Sequence, residues 1–248
     1  MMKGEFEFVI QDCNKIIDSN GFIGTEATER EMHLKYAYLL RGLSFIARED
    51  LDHAIRDFDE AINLGESALS YLFRGVAYFY KKDYSQALKN YTLVLSLDPS
   101  DSQAYFGRGY IRFLMGDLQG SKEDYAKIIE LNPKEGGGYA FRAEVYKKEG
   151  NVAAALEDFQ RAIQIGPSDK LYLTRGVFYH SIEEYEKAEL DYIQAGQMNP
   201  NREKEVKFLI ECLKSCKTKD CLRGIPIYAW QIRIKDQAFR YEIEFLNL

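Results

Sequence analysis

Residues 68–99 read ALSYLFRGVAYFYKKDYSQALKNYTLVLSLDP, two short amphipathic helices followed by a stop. In the first, Tyr71, Gly75 and Tyr78 fall at i, i+4 and i+7, which is one helical face. In the second, Ala87, Tyr91 and Val94 repeat that spacing, and Asp98-Pro99 ends it, because proline lacks an amide hydrogen and restricts the residue before it. Gly75 is expected to face Ala87, a pair of small residues that lets the helices approach closely.

The stretch recurs. Pro99, Pro133, Pro167 and Pro200 are spaced by 34, 34 and 33 residues, and only Pro226 lies off this ladder. Gly42, Gly75, Gly109, Ala143 and Gly176 keep the same period. So do three columns behind them: Ala54, Ala87, Ser121, Ala155 and Ala188; Phe58, Tyr91, Tyr125, Phe159 and Tyr192; Ala61, Val94, Ile128, Ala162 and Ala195. A helix-turn-helix unit of about 34 residues with these small, aromatic and proline positions resembles the tetratricopeptide repeat. The resemblance covers roughly Lys35 to Pro200. Its first repeat departs from the pattern, with Glu66 where the closing proline would stand.

The expected fold is therefore all-α, an α-α superhelix (solenoid) of about five tetratricopeptide repeats. Each unit buries its apolar face against its neighbours, so no single large core is needed. The expected organisation is an N-terminal half-repeat helix over 1–24, five repeats over 25–200, a capping helix over 201–217, and a linker with a C-terminal β-hairpin over 218–248. Val9, Cys13 and Ile16 take the small, aromatic and small columns of a second helix whose first helix is missing, and a loop is expected over Gly21–Thr25. A long helix from about Glu26 to Ala47 then opens repeat one. Asn201 to Cys216 carries Val206, Leu209, Ile210 and Leu213 as one stripe, as a terminal cap should. Beyond it the period changes to two: Tyr228, Trp230, Ile232 and Ile234, then Phe239, Tyr241, Ile243 and Phe245. Such a hairpin is marginal alone in water and must dock on something.

Composition narrows the function classes. The chain has 33 basic and 39 acidic residues, a net charge of −6 without a basic block, which argues against a nucleic-acid or anionic-membrane surface. No run approaches the 18 or so apolar residues of a membrane span, and Lys3, Glu5 and Glu7 break any leader-like stretch. Four cysteines, three of them clustered, fit a reducing, cytoplasmic setting.

No catalytic set assembles. His33, His53 and His180 are scattered over different repeats, and Gly136-Gly-Gly138 lacks the Lys-Ser/Thr and the preceding strand of a phosphate loop. Cys212, Cys216 and Cys221 form C-x3-C-x4-C, whose spacings and missing fourth ligand fit structural zinc poorly. The expectation is no enzyme activity, no metal and no cofactor. Arg41, Arg74, Arg108, Arg142 and Arg175 stand just before the small column. Asp57, Asn90, Asp124, Asp158 and Asp191 stand just before the second-helix aromatic. These two columns read as Arg–Asp pairs between helices rather than as a cationic ladder for acidic ligands.

The resemblance also implies a concave groove lined by first-helix residues. Transferred to this sequence these are Tyr36, Leu39, Leu43 and Ile46, then Leu69, Leu72, Val76 and Phe79, then Phe106, Tyr110 and Phe113. Repeats four and five supply a more polar set that includes Glu144, Lys147, Lys170 and His180. Family members that clamp a C-terminal carboxylate place Lys and Asn where Leu39, Leu43 and Phe73 stand here, which disfavours that ligand. An apolar groove suits an apolar or amphipathic peptide or helix of a protein partner. Two alternatives stay open: the groove filled by the chain's own hairpin, or a homo-oligomer paired through residues 225–248.

Overall fold

The computed structural model describes residues 3–19 and 27–215, and within them every regular element is helical. The elements divide into two compact units, Met1–Leu131 and Asn132–Leu248. The first holds α1 (Lys3–Asp18), α2 (Ala27–Ala47), α3 (Leu51–Asn63), α4 (Ala68–Tyr80), α5 (Tyr84–Leu97), α6 (Ser102–Met115) and α7 (Leu118–Leu131). The second holds α8 (Gly136–Glu149), α9 (Val152–Ile165), α10 (Asp169–Ser181), α11 (Tyr185–Met198) and α12 (Glu203–Ser215). A 3-10 turn over Pro200–Arg202 leads directly into α12, so the helix expected from Asn201 begins with a 3-10 turn. The β-hairpin expected within 225–248 and the thiols of Cys216 and Cys221 lie outside the described residues.

Helices pair as the period demands: α2 with α3, α4 with α5, α6 with α7, α8 with α9, and α10 with α11. Each pair is joined by the same turn. The amide of Asp50 donates to the carbonyl of Phe45 at 2.9 Å, and Asp83, Asp117, Asn151 and Glu184 reach five residues back in the same way. This is the six-to-one bond of a Schellman C-cap, which needs a left-handed residue just before it. That residue is Glu49, Lys82, Gly116, Gly150 or Glu183, with φ between 63° and 86°. The next helix starts at once, because the side chains of Asp50, Asp83, Asp117 and Asn151 cap its first amides.

The small and aromatic columns make the core of each pair. Ala54, Ala87, Ser121, Ala155 and Ala188 have no exposed surface, and Phe58, Tyr91, Tyr125, Phe159 and Tyr192 have at most 2%. The glycine column faces these aromatics. A Cβ on Gly75 would lie 3.0 Å from the Tyr91 ring, and one on Gly42 would lie 2.6 Å from Phe58. Tyr91 is also pressed by Gly107 of the following repeat, where a Cβ would come to 2.5 Å. The ring needs bare backbone on both sides. At the end of the second unit, Val206, Leu209 and Leu213 of α12 cover Leu173, Tyr192 and Ala195. Arg202 pairs with Asp169 to fix that helix's entry.

Candidate ligand-binding face

The arginine column is engaged inside the repeats. Nε and Nη2 of Arg41 donate to both carboxylate oxygens of Asp57 at 2.8 and 2.7 Å. Arg108 and Asp124, Arg142 and Asp158, and Arg175 and Asp191 form the same fork between the two helices of a repeat. In repeat two the acceptor is the amide oxygen of Asn90, and Arg74 places its remaining charge on Asp59 of the preceding repeat at 2.6 Å. Arg41 makes the equivalent backward reach to Asn14 of α1. The fork holds the Arg142 and Arg175 guanidiniums above their ordinary proton affinity through hydrogen bonds to Asp158 and Asp191. Each guanidinium also lies over the tyrosine three residues before it: Tyr38, Tyr71, Tyr105, Tyr139 and Tyr172, at 5.3–5.9 Å. These cations are sandwiched between a ring and a carboxylate or amide, so they do not make a ladder for acidic ligands.

What remains available is the first-helix stripe expected to line the groove. In the first unit, Phe79 of α4 meets Tyr110 of α6 at 5.7 Å, and Tyr110 stacks on Phe106 at 6.3 Å with the rings 6° from parallel. Three of the expected groove residues therefore form one aromatic run across consecutive repeats. Burial pushes the Tyr110 hydroxyl above its usual proton affinity. The eleven expected residues divide by exposure. Tyr36 and Leu69 are open to solvent at 55% and 43%; Leu43, Phe79, Phe106 and Phe113 are half-buried; Leu39, Ile46, Leu72, Val76 and Tyr110 are buried. The buried five form the floor of the face, because in a stack of helices the same stripe also packs on its neighbours.

A cavity of about 390 Å³ opens beside the two exposed residues. It is lined by Thr28, Glu31, Met32, Lys35, Tyr36 and Leu39 of α2, by Leu64 and Ser67 of the α3–α4 connection, and by Leu69 of α4. The sequence did not announce it, since its walls come from a loop whose path depends on where α3 stops. The repeated tyrosine before each arginine was legible from its 33- and 34-residue spacing, yet it carried no chemistry until the stacking was seen.

In the second unit the corresponding stripe is more polar. Glu144 and Lys147 pair at 2.6 Å, Val177 is half-buried, and Leu173 and His180 are buried. Cys212 is a free, half-buried thiol on α12. No group of three His, Cys, Asp or Glu side chains is placed to hold a metal among the described residues. No described helix is long and apolar enough to cross a membrane.

Family models for the tetratricopeptide repeat match residues 68–101, 102–135 and 137–169. The chain carries tetratricopeptide repeats. The matched residues are its second, third and fourth repeats, and the first and fifth carry the same columns on either side. Among solved structures the tetratricopeptide array is similar to MamA from Desulfovibrio magneticus RS-1, residues 41 to the end. The TM-score is 0.61 and the identity 15%, over 68% of this chain and 96% of that one. TTC0263, a tetratricopeptide protein of Thermus thermophilus, matches with a TM-score of 0.58 and 15% identity, over 72% and 98% of the two chains. YrrB, described as a tetratricopeptide protein with an unusual peptide-binding site, matches with a TM-score of 0.51 and 20% identity, over 66% and 87%. At these identities the likeness is one of fold. Among curated proteins the sequence has no match.

Proposed function

We propose that this tetratricopeptide protein is a non-catalytic, cytoplasmic scaffold that holds an apolar or amphipathic segment of a partner protein against the first-helix face of α2, α4 and α6. The observation that carries the reading is the pairing of exposed Tyr36 and Leu69 with the adjacent cavity of about 390 Å³. Two large side chains left in water beside a concave, mostly apolar hollow cost free energy that a ligand recovers. Covering what remains exposed of each is worth about 1 kcal/mol. The aromatic run from Phe79 to Phe106 extends the same chemistry along the next repeat. Glu31 and Lys35 in the lining offer one charge of each sign, enough to orient a segment without demanding a charged one. The peptide-binding site in YrrB's description is a precedent for this class of ligand on this fold.

The chain's own residues 225–248 are chemically suited to the same face, since their apolar residues alternate. Trp230 is the only tryptophan, so its fluorescence reports that occupant alone. The test uses the full chain and the variants Leu69→Glu and Phe106→Glu, chosen because Leu69 is exposed and Phe106 half-buried. Each should weaken capture of amphipathic helical peptides by at least tenfold, about 1.4 kcal/mol, while the far-ultraviolet circular dichroism stays unchanged. Unchanged capture rejects the face. A shift of Trp230 emission in Leu69→Glu at constant molecular mass supports an internal occupant. A concentration-dependent doubling of mass in light scattering, insensitive to Leu69→Glu, favours pairing through 225–248 instead.

A further inference from the structure

The fifth repeat contains a polar ring in a slot built for an apolar one. His180 is the last expected groove position of its repeat, equivalent to Phe79 and Phe113, and it has no exposed surface. Its ring meets Tyr185 edge-on at 5.7 Å, in the position where Phe79 meets the equivalent Tyr84 at 6.0 Å with a 39° tilt. Nδ1 lies 3.4 Å from the hydroxyl of Tyr192, a long contact, and Nε2 is buried without a hydrogen-bond partner. The titratable groups around the ring are Tyr185 and Tyr192 of α11. Cys212 of α12 and Asp191 act on Tyr192 in turn. Asp191 is already committed to Arg175, and α9 meets α10 through the Phe159–Phe178 ring contact. Among the described residues, no carboxylate is placed to receive a second proton on this imidazole.

We propose that His180 is an acid-sensitive latch: protonation of its ring forces α10 and α11 apart and loosens the fifth repeat together with the α12 cap. A neutral imidazole fits this slot with one weak bond. An imidazolium has two donors, a full charge and one phenolic oxygen, and its escape is to water. Burial alone lowers the ring's proton affinity below the ordinary histidine value. The unfolded repeat thus takes up the proton first. The stability that neutral His180 provides is complete above the ordinary histidine range, and it drains away as pH falls through about 6.5.

Hydrogen–deuterium exchange of the full chain, compared at matched intrinsic rates between pH 7.5 and 5.0, tests the latch. The wild type should lose roughly tenfold in protection across α10 and α11, since each pH unit below the free histidine pKa favours the open form by up to about tenfold. The segment α4–α5, with Phe79 in the slot, is the internal control and should hold. His180→Phe should keep α10–α11 closed at pH 5.0, and His180→Gln, neutral at every pH and similar in size, serves as the second variant. Loss of protection that persists in both variants overturns the proposal, as does a wild type whose α10–α11 protection is the same at both pH values.

Discussion

At the scale of single residues, the turn inside each repeat is instructive. Five residues occupy the same left-handed position, yet only Gly116 and Gly150 are glycines. Glu49, Lys82 and Glu183 hold φ of 63–67° with a Cβ in place, a conformation that costs an L residue roughly 1–2 kcal/mol. Lys82→Gly should therefore raise stability by about 0.5–1 kcal/mol, once glycine's extra unfolded-state freedom is subtracted, read as a higher urea midpoint at unchanged slope. Gly116→Ala should move the midpoint the other way by a similar amount. The strain was invisible in the sequence, because glutamate and lysine do not advertise a positive φ. What Gly75 meets first was not legible for a related reason. Spacing gives the face a residue shares, while the size of Tyr91 decides what reaches that face first.

At the scale of elements, each helix pair is joined by its charged fork as well as by its core. Asp158 is 5% exposed, and Asp158→Ala leaves the guanidinium of Arg142 half-buried without its carboxylate. A loss of about 2–4 kcal/mol is expected in chemical denaturation. Asp158→Asn keeps an acceptor and should cost about half as much, since hydrogen bonds to charged groups weaken when one partner becomes neutral. Repeat two already carries that substitution naturally and offsets it through Asp59. The fork was legible in the sequence, because matched columns of opposite charge at a fixed offset leave few alternatives. How far the outer stripe is open was not legible: Leu72 and Leu69 both lie on the α4 stripe, but one is 2% exposed and the other 43%. That difference depends on how closely the neighbouring helices approach, which no single repeat encodes.

At the scale of the whole molecule, stability is a sum of local terms between neighbours. Tyr91→Ala removes a ring held between Gly75 and Gly107, and its cost should be about 3–5 kcal/mol. Exchange protection should fall across α4, α5 and α6 and remain unchanged in α9–α11, a pattern that a single cooperative core would not give. The same locality makes repeats portable as cassettes in a duplicating gene. Excising the third or fourth removes a guanidinium along with its own carboxylate, so the junction inherits no stranded ion. Excising the first is different: Arg74 would be left between the amides of Asn14 and Asn90, with its anion gone. Copy-number change thus strands no ion in the interior of the array, although losing the third repeat sets Phe141 where Gly107 meets Tyr91, and it strands Arg74 at the amino-terminal margin.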